Sequence, residues 1–163
     1  MKLDIDGSST EAAVIVMRRT FDAPRDVVWA AFTDPKHVAQ WYGGHGFTNP
    51  VCEMDVRPGG RWRHVMRTPD GTEFPMEFVF LEVVKPERLV WTNADHGKGP
   101  GPGPHHNVMT VTLEEAGRQT KWKLVTRFQS FADRELAQRI GFTTVLAEGT
   151  EKLNALLQTL SRI

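Results

Sequence analysis

The chain has 163 residues, 40% hydrophobic and 25% charged, with 20 Lys and Arg balanced by 20 Asp and Glu. That length fits one domain whose core needs no covalent staples. Zero net charge lacks the basic excess with which nucleic-acid binders hold phosphate, so no nucleic-acid partner is expected.

The single cysteine, Cys52, excludes an intramolecular disulfide. No apolar run approaches the length of a membrane-spanning helix, so no membrane insertion is expected. Residues 1–11 read as a flexible leader rich in Ser, Gly and Asp, and residues 12–163 as one domain. The leader is polar, with Asp4 and Asp6, and does not read as a signal peptide, so a cytoplasmic location is expected.

Ala12 to Phe21 reads as a strand with Ile15, Met17 and Phe21 on one face. Arg19 shares that alternation, and a salt bridge at the sheet rim is expected for it. Pro24 stands where a helix takes its first residue, and Val27, Val28, Ala31 and Phe32 give that helix an apolar side. Asp34-Pro35 is an N-cap followed by proline at the first helical position. A second short helix should run from there to about Trp41, closed by Gly43-Gly44-His45-Gly46.

The period then changes to two. Val51 to Val56 reads as a strand, ended by the turn Pro58-Gly59-Gly60. Arg61 to Thr68 follows, with Arg61, Arg63 and Arg67 on one side and Trp62, His64 and Met66 on the other. After Pro69-Asp70-Gly71 comes a long strand, Thr72 to Val84, with Phe74, Met76, Phe78 and Phe80 on one face. Pro75 inside it implies an edge position or a bulge. Leu89 to Asn93 carries Trp91. The Gly- and Pro-rich run from His96 to Pro104 reads as an exposed loop, a flap at the mouth of any cavity. Val108 to Glu114 and Arg118 to Phe128 form a hairpin around Gly117, with Met109 and Val111 inward on one arm and Trp122 and Leu124 on the other.

From about Asp133 to Leu160, Phe142, Leu146, Gly149, Leu153, Leu156 and Leu160 recur at spacings of three and four. One continuous helix there would be on the order of 40 Å long, enough to cross a whole sheet. The fold class is therefore α+β. Two short helices follow the first strand, and a curved antiparallel sheet wraps a long C-terminal helix.

Between helix and sheet the inward residues are Trp62, His64, Met66, Phe78, Phe80, Trp91, Met109, Trp122 and Leu124, facing Phe142, Leu146 and Gly149. They read either as plain core or as the lining of a ligand-binding cavity with His64 as a polar group. Gly149 fits either close packing of the helix or room for a ligand. No metal site is expected: the histidines number six, but none show ligand spacing. No cofactor loop, Gly-x-Ser-x-Gly nucleophile or activated Cys pattern is present either.

Several segments resemble a known family in order and spacing. They are Phe21-Asp22-Ala23-Pro24 with Val28-Trp29, Thr33-Asp34-Pro35 with Trp41, Arg57-Pro58-Gly59-Gly60, Pro69-Asp70-Gly71, and Glu82 through Val90. The chain resembles the START-like (SRPBCC) superfamily with the birch-pollen-allergen helix-grip fold, and within it the branch similar to the activator of the heat-shock-protein-ninety ATPase. The resemblance implies a deep, mostly apolar cavity and no shared catalytic motif. Relatives commonly follow the mid-helix Gly with Trp, whereas Gly149 is followed by Thr150.

The expected function is binding of a small hydrophobic or amphipathic ligand, as other members bind lipids, sterols or polyketides. Two alternatives stand beside it: an enzyme in the same cavity with His64 as acid–base group, and a chaperone-associated interaction protein, the latter by analogy alone. A homodimer stays open.

Overall fold

The computed structural model describes residues 4–6, 13–94 and 107–161. The strands are β1 (Asp4–Asp6), β2 (Val14–Phe21), β3 (Thr48–Met54), β4 (Arg61–Arg67), β5 (Glu73–Val84), β6 (Arg88–Asn93), β7 (Val108–Ala116) and β8 (Gln119–Arg127). They form one curved sheet in the order β1-β2-β8-β7-β6-β5-β4-β3, antiparallel throughout. From β3 to β8 the order is a plain meander, with Gly-containing turns before β4, β5 and β8 and the short Lys85-Pro86-Glu87 turn before β6 each returning the chain beside the strand just made.

Between β2 and β3 lie α1 (Arg25–Thr33) and α2 (Pro35–Trp41). Pro24 is the N-cap of α1 rather than its first residue. Asp34 caps α2 as expected, its carboxylate accepting from the Lys36 amide at 2.9 Å. The Trp41 indole N–H donates to the Ala31 carbonyl at 2.8 Å and ties the two short helices together.

The alternation in β4 is obeyed. Arg61, Arg63 and Arg67 are exposed, while Trp62 and His64 are buried. On the outer face Arg61 reaches Glu77, Arg63 reaches Glu53 and Arg67 reaches Glu73 across neighbouring strands. Pro75 lies opposite Val65, in the part of β5 before β6 pairing begins at Phe78–Asn93, so among the described residues that stretch has one neighbouring strand, and the missing N–H breaks no ladder bond there. The irregularity in β5 falls later, between Phe80 and Glu82.

Three expectations are corrected. Within the leader, Asp4–Asp6 pairs with β2 as an edge strand, Asp4 opposite Arg18. The first long strand after α2 begins earlier than Val51, at Thr48. The single C-terminal helix is two: α3 (Phe131–Arg139) and α4 (Phe142–Leu160). The chain breaks at Gly141, whose φ of 92° is the left-handed conformation that ends regular helical bonding. The 19 residues of α4 span about 28 Å, still enough to cross the sheet. The His96–Pro104 flap lies outside the described residues.

The core sits between the sheet's inner face and the helices. Ile15, Met17, Phe21, Phe80, Leu89, Leu153 and Leu157 are almost wholly buried there. The Arg134 guanidinium docks α3 on the sheet by donating from Nε to the Val14 carbonyl at 2.9 Å.

Candidate functional site

The core is not filled. Between the inner face of the sheet and α4 lies a cavity of about 440 Å³. Strands β4 to β8 contribute Trp62, Met66, Phe78, Trp91, Met109, Trp122 and Leu124, and α4 contributes Phe142, Leu146 and Gly149. Each of these side chains points inward for the reason read from sequence: period two on the strands and three-to-four on the helix. The wall is overwhelmingly apolar, with Thr68, Asn93, Asn107 and Thr150 as scattered polar points.

Two expected lining residues are elsewhere. Phe80 is fully buried and stacks flat on Trp62, ring centroids 6.1 Å apart, so it supports the wall from behind. His64 is 1% exposed and does not border the cavity. Its Nδ1 accepts from the Trp62 indole N–H at 3.1 Å, and its Nε2 is 2.7 Å from the Asn49 carboxamide oxygen. The first bond places the proton on Nε2, which then donates to Asn49. The Asn49 amide nitrogen in turn donates to the Ala39 and Tyr42 carbonyls. Burial holds the His64 imidazole down at about 4, so it stays neutral at physiological pH. His64 is thus a structural strut between β4, β3 and the end of α2. The alternative in which His64 is an acid–base group of the cavity has no support in this geometry, since the ring does not border that space.

Trp62 is the centre of the wall. Its ring meets Tyr42, Phe78, Phe80 and Trp91 at centroid distances of 4.7–6.1 Å. The indole N–H is satisfied by His64, so the face of the ring is available to the cavity.

Sequence reading missed several wall residues. Phe74 and Met76, read on one face of this strand with Phe78 but left out of the expected lining, also border the cavity. Tyr42 and Phe47 flank the Gly43–Gly46 turn and carry no periodic signal; only the fold brings them to the cavity. Burial pushes the Tyr42 phenol well above its ordinary value, so it remains protonated.

Arg19 makes no rim salt bridge within 4 Å among the described residues. It donates to the Thr150 hydroxyl at 3.3 Å and lies over the Phe21 ring. Cys52 is half-buried with its thiol pushed up to about 11 by burial, the reverse of an activated nucleophile. Among the described residues no group of three or more His, Cys, Asp or Glu is placed to hold a metal ion.

A curved antiparallel sheet gripping one long helix over an apolar cavity defines the helix-grip class of α+β domains. Within it, this chain belongs to the family described as activator of Hsp90 ATPase homolog 1-like protein, whose family model matches residues 22–158. The chain is 27% identical over 137 residues to an uncharacterized protein of Schizosaccharomyces pombe, covering 82% of this chain and 36% of that protein. It therefore spans about a third of that relative's length.

Among solved structures, a Nitrosomonas europaea protein superposes with a TM-score of 0.83 at 23% identity, covering 95% of this chain and 99% of that one. A Rhodobacter sphaeroides protein gives 0.83 at 21% identity, over 98% and 99%. The AHSA1 protein of Silicibacter pomeroyi gives 0.69 at 20% identity, over 90% and 98%. At these identities the likeness shows the shared fold.

Proposed function

We propose that the protein is a binding module that takes one small apolar or amphipathic molecule into the cavity between α4 and the sheet. The observation that carries this reading is the cavity itself. Unfilled space of about 440 Å³ walled by Trp62, Trp91, Trp122, Phe78 and Leu146 leaves those side chains without packing partners on the side that faces it. A natural core closes such a gap unless a ligand uses it. The volume lies in the range of roughly 300–1,000 Å³ typical of small-molecule sites. The apolar wall supplies affinity by burying ligand surface, and the few polar points orient it.

Among the described residues no Asp, Glu, His, Lys, Arg or Cys borders the space, and His64 is committed to Trp62 and Asn49. The reading is therefore binding rather than turnover. A chaperone partner rests on the family description alone, and no residue of this chain argues for it.

The test is fluorescence titration with N-phenyl-1-naphthylamine, an apolar dye whose emission rises when it leaves water. Wild-type protein should bind it saturably with one site. Leu146→Trp, which fills the cavity from the α4 side, should weaken binding at least tenfold while the protein stays folded, as about 1.4 kcal/mol of lost contact suffices. Equal dye binding by both proteins, or none by wild type, would sink the reading. Native mass spectrometry of protein purified from its own cell then identifies the natural occupant.

A further inference from the structure

The cavity wall is not uniform in how it is held. Most of it is sheet ladder or helix, held by backbone hydrogen bonds between adjacent strands or within the helix. The segment between α2 and β3, residues 43–47, is different. Gly43 and Phe47 line the cavity, yet the segment joins no ladder. Its one internal backbone bond runs from the Phe47 amide to the Gly44 carbonyl, at 3.1 Å.

Among the described residues, its hydrogen bonds to other elements all go to side chains of α4. The Glu148 carboxylate accepts from the His45 amide at 2.9 Å. Lys152 Nζ donates to the Gly44 carbonyl at 2.9 Å. Glu151 meets the exposed His45 ring at 3.0 Å. These residues occupy successive turns of one helix face, so a single strip of α4 holds the whole segment.

Gly149 lies in the middle of that strip. A Cβ there would stand 3.3 Å from the Gly43 carbonyl oxygen and 3.5 Å from that of Trp41, so glycine lets the segment lie against the helix backbone. At the two ends, Gly43 and Gly46 have φ of 88° and 81°, conformations that glycine leaves and regains without steric cost.

We propose that residues 43–47 are the gate of the cavity and that Glu148 and Lys152 are its latch. The segment swings off α4 on Gly43 and Gly46 to let a ligand pass, and closes when the two side chains regain the His45 amide and the Gly44 carbonyl. This rests on the ligand-binding reading above. Opening breaks a few side-chain bonds and no ladder, so it is a low-cost way through the wall. The Glu151–His45 pair is exposed on both sides and adds little.

The test uses the whole protein and the same dye, mixed by stopped flow and displaced by excess competitor. In the Glu148→Ala, Lys152→Ala double variant, neither altered residue lines the cavity. Association and dissociation should both speed up by about tenfold, the size expected from losing charge-assisted bonds, leaving Kd within about twofold. Lys152→Met alone, the milder change, should speed both by a smaller factor and decides the matter if the double variant fails to fold. Unchanged rates beside normal wild-type binding overturn the gate and leave the cavity reading standing. Faster dissociation without faster association also overturns it, since the latch would then shape the bound state rather than the path. Absence of dye binding by wild type overturns both.

Discussion

The indole N–H of Trp62 donates to Nδ1 of His64 at 3.1 Å, two residues along the same strand and on the same face. The pair divides the labour of the wall: Trp62 faces the cavity, and His64 anchors it to Asn49 behind. The bond needs a neutral imidazole, since an imidazolium has no lone pair to accept with.

That requirement makes stability depend on pH. The His64 value falls from 6.5 to about 4 on folding, so the unfolded chain binds the extra proton between those values. The stabilisation is complete above about pH 6.5 and is lost progressively as pH falls toward 4. Urea unfolding at pH 7.5 and pH 4.5 should show wild type losing about 2–3 kcal/mol more than His64→Asn over that interval. Equal losses in the two proteins would remove His64 as the cause. Carboxylates such as Asp70 titrate in both proteins and cancel from the comparison.

Gly149 tests how closely α4 and the 43–47 segment are fitted. Alanine gains about 1 kcal/mol of helix propensity, and against that its Cβ must push the Gly43 carbonyl by a few tenths of an ångström. Gly149→Ala should therefore unfold within about 1 kcal/mol of wild type. Gly149→Val adds a branched methyl against Gly43 and Trp41 and should cost about 2 kcal/mol or more. Thermal melts of both variants distinguish a tight contact from spare room; a harmless valine would mean the helix face is loosely covered.

At Gly141 the issue is backbone alone. A Cβ there meets nothing within 4 Å, but φ is 92°. Gly141→Ala should lose about 1 kcal/mol, and Gly141→Asn less, because Asn tolerates left-handed conformations. Equal losses for Ala and Asn in chemical denaturation would show that something other than φ sets the cost.

Local chemistry in the sequence determined most of the elements. Alternation in Arg61–Thr68 and Arg118–Phe128 placed Trp62, Met66, Trp122 and Leu124 inward, and Pro-Gly-Gly and Pro-Asp-Gly ended the strands around them. Those are short-range effects of pleat and turn geometry, so they survive in any tertiary setting.

The helix break was less legible. The apolar spacing runs on from Phe142 regardless of Gly141, and only the fold shows the chain turning there so that α3 docks on β2 through Arg134.

Depth was decided by tertiary structure alone. Trp62, His64 and Met66 have identical parity, yet the outer two line the cavity and the middle one lies behind it, under Tyr42 at a ring separation of 4.3 Å. Parity assigns a face of the sheet. Whether a side chain on that face meets a helix, a neighbouring ring or open space depends on how the sheet curves and where α2 ends, which are products of long-range packing. The inward face was thus written in the residues themselves, and the cavity in it was made by the fold.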